Sequence, residues 1–221
     1  INPFALRAIR SMRSGDEVGA NIGFIKNEVL ELGEEDDYIL SGQFRASDFA
    51  SRTEVGHPIA SYYGYVTDGY WQTQEEIDAA NANALLVTEG DRRYFDTRNI
   101  QPGDIKMKDL DGNGLIDVDD RTFIGNPNPD MTYGINIVLK YKIFDLSAFG
   151  QGVYGNEIFQ GLIYYNESPV GDYSMSTTML DYWTPDNPDA ASPRLGNLDD
   201  NARFSDRYIK DGSFFRIKNF Q

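Results

Sequence analysis

From position 132 the chain alternates with few breaks. Tyr133, Ile135, Ile137, Leu139 and Tyr141 fall on one face, and Gly134, Asn136, Val138, Lys140 and Lys142 fall on the other. A period of two marks a strand with two unlike faces. A turn at Ile143 and Phe144 follows. The chain then runs back, with Leu146, Ala148, Gly150 and Gly152 alternating against Ser147, Phe149, Gln151 and Val153. Two strands of this length joined by almost nothing predict a hairpin. Weaker alternation over 20–30 sets Ala20, Ile22 and Phe24 on one side and predicts another strand. A further one starts near Tyr208 and reaches SFFRIKNF, while residues 3–14 read equally as helix or strand.

The segments between these strands are long and polar. Residues 31–131 carry acidic runs, Gly and Pro punctuation and one helix, opened by a capping box of Thr73 and Glu76. Residues 157–206 form the second such segment. Connections of this length are functional or separately folded. The order is therefore strand, long loop, strand, tight turn, strand, long loop, strand. Outer-membrane barrels have this asymmetry, with short turns at one end and long loops at the other.

The apolar face over 133–141 begins and ends in tyrosine with aliphatic residues between. A lipid-facing strand has that order, because aromatic rings favour both membrane interfaces. A soluble sandwich strand reads the same on this stretch alone, and the loop order favours the membrane. The fold expected from these patterns is all-β, with antiparallel strands of the outer-membrane barrel kind and long loops at 31–131 and 157–206.

Composition agrees with this reading. The 14 Tyr and 13 Phe tilt toward β structure, and no apolar run is long enough for a transmembrane helix. The net charge of −15 argues against nucleic acid as a partner and makes divalent cations a natural one. With no cysteine, disulfides, thiolate metal sites and cysteine nucleophiles are excluded together. The first residues, INPFALRAIR, lack the order of a signal peptide.

One stretch carries metal chemistry. DLDGNGLIDVDD at 109–120 places Asp109, Asp111 and Asn113 at positions 1, 3 and 5 of a calcium loop, with Gly114 at the sharp turn. Leu115 offers its backbone carbonyl at position 7, Asp117 occupies position 9, and Asp120 closes the shell at position 12. Ca²⁺ is the expected ion, in a structural role. Asp120 stands where an EF-hand has Glu, and its shorter arm predicts weak affinity, about 10⁻⁴–10⁻³ M. An ordinary Asp/Gly/Asn turn is the competing account.

Enzyme chemistry finds little footing. The only histidine, His57, precedes a proline and reads as a turn residue. No G-x-S-x-G, G-x-x-x-x-G-K-[ST] or G-x-G-x-x-G occurs. No carboxylate pair stands out for glycoside hydrolysis. Tyr62, Tyr63, Tyr65, Tyr70 and Trp71 could stack on sugar rings or pack a long loop together.

The blocks VGHPIASYYGYVTDGYWQTQEEID, GDIKMKDLDGNGLIDVDDRTFIGNPNPDMTYGINIVLKYKIFDLSAFGQGVYGNEIF, YWTPDNPDAASPR and DGSFFRIKN occur in this order over roughly 54–220. In combination they resemble SusC/RagA-type TonB-linked outer-membrane transporters. Residues 1–19 carry no such resemblance and 20–32 only a loose one. The resemblance implies a fragment of a large antiparallel transmembrane β-barrel with long extracellular loops: 1–221 as the C-terminal portion of the barrel, 31–131 and 157–206 as the loops, and the plug domain absent. It implies part of a non-catalytic importer of glycans or peptides in the Gram-negative outer membrane. Its implied partners are membrane lipid, a SusD-like surface lipoprotein and, through a region this sequence lacks, TonB. It also implies that the loop bearing Asp109, Asp111, Asn113, Asp117 and Asp120 is extracellular. A barrel of about 22 strands needs roughly 220 residues for strands alone, so four strands among long loops cannot close one. The rival expectation is a soluble, calcium-stabilised β module that binds carbohydrate at a cell surface.

Overall fold

A computed structural model describes residues 4–11, 16–33, 37–44, 49–84, 86–88, 91–92, 100–167, 174–196 and 201–221. In chain order the strands are β1 (Phe4–Ser11), β2 (Glu17–Phe24), β3 (Tyr38–Gln43), β4 (Phe49–Glu54), β5 (Ser61–Gly64) and β6 (Thr67–Tyr70). After helix α1 (Gln74–Asn83) come β7 (Leu86–Thr88), β8 (Asp91–Arg92), β9 (Ile105–Met107), β10 (Thr122–Gly125), β11 (Met131–Tyr141), β12 (Phe144–Tyr154) and β13 (Glu157–Phe159). Helix α2 (Leu162–Asn166), β14 (Ile209–Asp211) and β15 (Phe214–Phe220) complete the order.

The alternating stretches pair into one antiparallel sheet in the order β1-β2-β11-β12-β15. Residues 4–11, open between helix and strand in the sequence, are a strand of this wall. Tyr141 pairs with Phe144, so the hairpin turn is Lys142 and Ile143, one residue earlier than the sequence pattern placed it. Lys142 adopts φ 56°, the positive value that a two-residue turn of this hand requires at its first position. Lysine carries no turn signal, which is why the pattern missed it.

The tight turn at 142–143 lies at one end of the wall, and the long connections, 25–130 and 155–213, leave and return at the other. At that long-connection end Met131 pairs with both Phe24 and Tyr154. The strand expected from Tyr208 onward divides in two. Its first part, β14, pairs with β13 outside the wall, and only β15 joins β12.

The long connections are folded structures. Their largest sheet has the order β10-β5-β4-β3. Helix α1 begins where the capping box predicts: the Thr73 hydroxyl accepts from the Glu76 N–H at 3.2 Å, and the Glu76 carboxylate accepts from the Gln72 N–H at 3.0 Å. It buries Ile77 in a core with Tyr65, Trp71, Ile105, Met107 and Ile116. Each such buried side chain contributes about 1.5–3 kcal/mol. A second core gathers Ala50, Ile163, Phe204 and Tyr208 from both connections, with the Phe44 and Phe159 rings packed on it.

Candidate functional site

Register decides which wall residues share a face. Val18, Ala20 and Ile22 of β2 stand opposite Ile137, Ile135 and Tyr133 of β11. Those residues in turn oppose Ala148, Gly150 and Gly152 of β12, and Phe215 and Ile217 of β15 continue the same side. This face is apolar and uncovered, with Phe144 70% exposed and Ile217 64% exposed. Phe24, Tyr133, Tyr154 and Phe215 ring its long-connection end, Tyr141 and Phe144 its turn end, and aliphatic residues fill the middle. The opposite face is mixed: Asn21, Thr132, Asn136, Lys140, Asp145, Ser147, Gln151 and Arg216 stand there beside Val138, Phe149, Val153 and Phe214. Strands of 11 residues, each rising about 3.4 Å and tilted about 40°, suffice for an apolar band of about 25 Å. No helix among the described residues is long and apolar enough to cross a membrane.

The acidic loop lies in the first long connection, between β9 and β10. Ile116 anchors it in the Trp71 core, and Gly114 lies against the end of α1, where a Cβ would stand 2.7 Å from the Ala84 Cα. Gly112 and Gly114 take φ 76° and 80°, the left-handed values that the loop's turns need. One carboxylate oxygen from each of Asp109, Asp111 and Asp120 meets the others within 4.8 Å.

Backbone N–H groups hold this constellation in place. Asp109 accepts from the N–H groups of Gly112 and Gly114, each at 2.7 Å. Asp120, fully buried, accepts from Leu110 N–H at 2.7 Å and from Asp117 N–H at 2.9 Å. Burial pushes its carboxyl above the usual carboxylate range, against the pull of those two N–H groups and with help from the Asp109 and Asp111 charges. A divalent cation bound by oxygen would relieve that repulsion.

Of the predicted ligands, Asp109, Asp111 and Asp120 are brought together. Asp117 stands outside the group and caps the 3₁₀ turn at Val118–Asp120, its side chain accepting from Asp119 N–H at 2.9 Å. The Asn113 amide donates to Asp111 at 2.8 Å while its oxygen accepts from Leu115 N–H at 2.6 Å.

Two features escaped the sequence. Asp104, almost fully buried, ion-pairs with Arg194 at 2.7 Å and accepts from the Asn201 amide at 3.1 Å, joining the two long connections. Asp206 accepts from both the N–H and the hydroxyl of Thr67, at 3.1 and 2.7 Å, and makes a second junction. Nothing local marks pairs about a hundred residues apart. The aromatic cluster is packing: Trp71 and Tyr65 are buried, and the Tyr62 hydroxyl accepts from Phe159 N–H at 3.1 Å. His57 sits in a turn and stacks on Phe123 with ring centroids 3.8 Å apart.

No family model matches the chain. It is 31% identical over 194 residues to TonB-dependent receptor P26 of Formosa agariphila, covering 87% of this chain and 18% of that protein. It is 33% identical over 199 residues to TonB-dependent receptor P3 of the same organism, covering 88% and 18%. Identity to TonB-dependent receptor SusC of Bacteroides thetaiotaomicron is 24% over 207 residues, covering 92% and 18%. Among solved structures, the RagAB peptide transporter superposes on 98% of this chain and 21% of its own, with TM-score 0.68 and 18% identity.

The chain belongs to the SusC/RagA-type TonB-dependent receptors.

It spans about a fifth of the length of the relatives it matches. The SusC/RagA assignment makes the five-stranded sheet a segment of barrel wall, in a family of receptors that are not enzymes. It also displaces the rival soluble module: a soluble sheet would cover the apolar face that this wall leaves bare.

Proposed function

We propose that the chain forms part of the barrel and outer loops of an active outer-membrane importer of bulky oligomers, glycans or peptides. The observation that carries this reading is the five-stranded wall, with one apolar face banded by aromatic rings and an opposite face that holds the wall's polar and charged side chains. The apolar face seals against lipid and the opposite face lines the lumen. All long connections leave from one end of the wall, so that end is extracellular. A SusD-like surface lipoprotein closes over the folded connections, and TonB supplies energy through other parts of the full-length protein. Both partners are supported by the likeness to SusC and to the RagAB transporter.

In the same reading Asp109, Asp111 and Asp120 hold Ca²⁺, with the Asn113 oxygen, the Leu115 carbonyl and a water on Asp117 completing the shell. The ion is a brace: Arg121, next to Asp120, donates to the carbonyls of Phe49 and Tyr63 at 2.7 and 2.8 Å and ties β4 to β5.

The full-length protein tests the proposal. Extracted from outer membranes in detergent, it should co-purify with a surface lipoprotein, and cells lacking it should lose TonB-dependent growth on one class of oligomer. A full-length protein that stays soluble and monomeric without detergent would overturn the reading.

A further inference from the structure

We infer that the cleft where the first long connection meets the wall binds a sugar ring through its hydroxyl groups. The cleft has a volume of about 400 Å³, within the range of small-molecule sites, and lies between residues 25–28, 56–58 and 126–130. Described chain bounds it at both ends. At the wall, Ile25 N–H donates to the Asp130 carbonyl at 2.8 Å; at the far end, Val29 N–H donates to the His57 carbonyl at 2.9 Å. Two asparagines on opposite banks grip one residue. The Asn27 side-chain oxygen accepts from Ile59 N–H at 3.2 Å, and the Asn128 amide donates to the Ile59 carbonyl at 2.9 Å. The Asn126 side-chain oxygen accepts from Asn128 N–H at 3.0 Å. Each amide is thus fixed by one of its two ends. The other ends, Nδ2 of Asn27 and Asn126 and Oδ1 of Asn128, stay available among the described residues. Asp130 adds a carboxylate, and a Cβ at Gly155 would collide with it, so the bare glycine leaves it room.

This mix of groups selects the ligand. Lys26, the one cation of the lining, pairs with Glu28 at 2.7 Å, so an anion finds no unpaired positive charge. An extended peptide needs free main-chain groups, and the N–H groups of Ile25, Val29, Gly56 and Asp130 are already bonded. A hydroxyl donates and accepts at once. Adjacent hydroxyls of a sugar ring therefore match two amide donors set beside an amide oxygen and a carboxylate. Ile25, Pro58 and Pro129 offer apolar surface to the C–H face of the ring. The cleft follows Phe24 and precedes Met131, at the aromatic end of the wall. An imported glycan at the mouth and the headgroup of a membrane glycolipid both come within reach there. The inference rests on the importer reading only for the side of the membrane that the cleft faces.

The test uses full-length protein. In one arm it is held in a sugar-free detergent and titrated by calorimetry with neutral glucan and mannan oligosaccharides. In the other it is placed in nanodiscs with and without lipopolysaccharide, and hydrogen exchange is read at 25–29 and 56–59. Binding in one arm is expected, and the arm identifies the source of the sugar. Asp130→Ala keeps the backbone bonds of Asp130 and should weaken binding about tenfold or more, because hydrogen bonds to charged groups are the strong ones. Asp130→Asn, which keeps one acceptor oxygen, should fall between, and Asp119→Ala should match the parent. No binding in either arm, or binding unchanged by Asp130→Ala, would overturn the inference, as would binding of tryptic casein peptides in place of sugar. Such a failure would leave the barrel and its lipoprotein as proposed, whereas a full-length protein soluble without detergent would strike the importer reading and not the cleft.

Discussion

The rings of Tyr133 and Phe215 lie parallel, 2° apart in tilt with centroids 5.9 Å apart, across the bare backbone of Gly152. Gly152 sits between them in the register, and a Cβ there would stand 2.3 Å from the Phe214 carbonyl oxygen and 2.6 Å from the Tyr133 ring. A Cβ at Gly150 would in turn stand 2.4 Å from the Phe215 ring, so the two bare glycines of β12 let aromatic residues from its two neighbouring strands lie over its backbone, a device that stabilises sheets. Gly152→Val should cost about 1–3 kcal/mol through overpacking. Heat-dependent gel mobility of the full-length barrel should show a lower unfolding temperature. Phe215→Ala, which removes the stack, should cost about 0.5–1.5 kcal/mol beyond its lost area. An unchanged transition in Gly152→Val would count against this packing.

Ile137 and Asn136 are chain neighbours near the middle of β11 and point to opposite faces. Arginine at a lipid-facing mid-depth position costs about 2–4 kcal/mol, whereas a lumen position tolerates charge. Ile137→Arg should therefore reduce folded barrel in the membrane fraction and Asn136→Arg should not. The reverse pattern would invert the assignment of faces.

Calcium binding to the full-length protein in detergent should be weak by calorimetry, on the order of 10⁻⁴–10⁻³ M. Asp109→Ala and Asp111→Ala should abolish it. Asp119→Ala should preserve it, because Asp119 is exposed and outside the converging group. Chelation should speed exchange at the Leu110 amide, which the Asp120 carboxylate now holds. Binding that survives both Asp109→Ala and Asp111→Ala would reject the loop.

Asp104 and Arg194 form a junction with Asp104 almost fully buried, and truncating one partner strands the other charge. Asp104→Ala should destabilise the folded connections by about 3–5 kcal/mol. Hydrogen exchange should rise in both connections, around Ile105 and around Trp183, and stay unchanged in β11 and β12. A change limited to the first connection would mean that the junction does not couple them.

The wall was legible in the sequence because its faces meet different solvents. Polarity alternates wherever one side meets lipid and the other the lumen, so β11 and β12 could be read from Tyr133 to Val153 almost residue by residue. β1 escaped because PFALRAIRS fits either period. The acidic loop's turn was legible for another reason: its Asp, Asn and Gly residues fall within twelve consecutive positions, and Gly112 and Gly114 mark the turns. Which of those residues converge was not legible. Asp117 carries the same carboxylate as Asp120, yet it caps a turn and lies outside the group that Asp109, Asp111 and Asp120 form.

What the sequence by itself determined is therefore local and periodic: strand faces, the tight hairpin, the capped helix and the spacing of the acidic loop. Each follows from forces acting within a few residues or from a solvent that changes sides every second residue. Only the tertiary structure decided how the two long connections become one folded cap, through Asp104 with Arg194 and Thr67 with Asp206. It also decided that β14 leaves the wall for β13, and that Tyr133 and Phe215 close over Gly152 and Gly150. Those contacts join residues tens to more than a hundred positions apart. Their stability comes from burial and partner geometry that exist only after the chain has closed on itself.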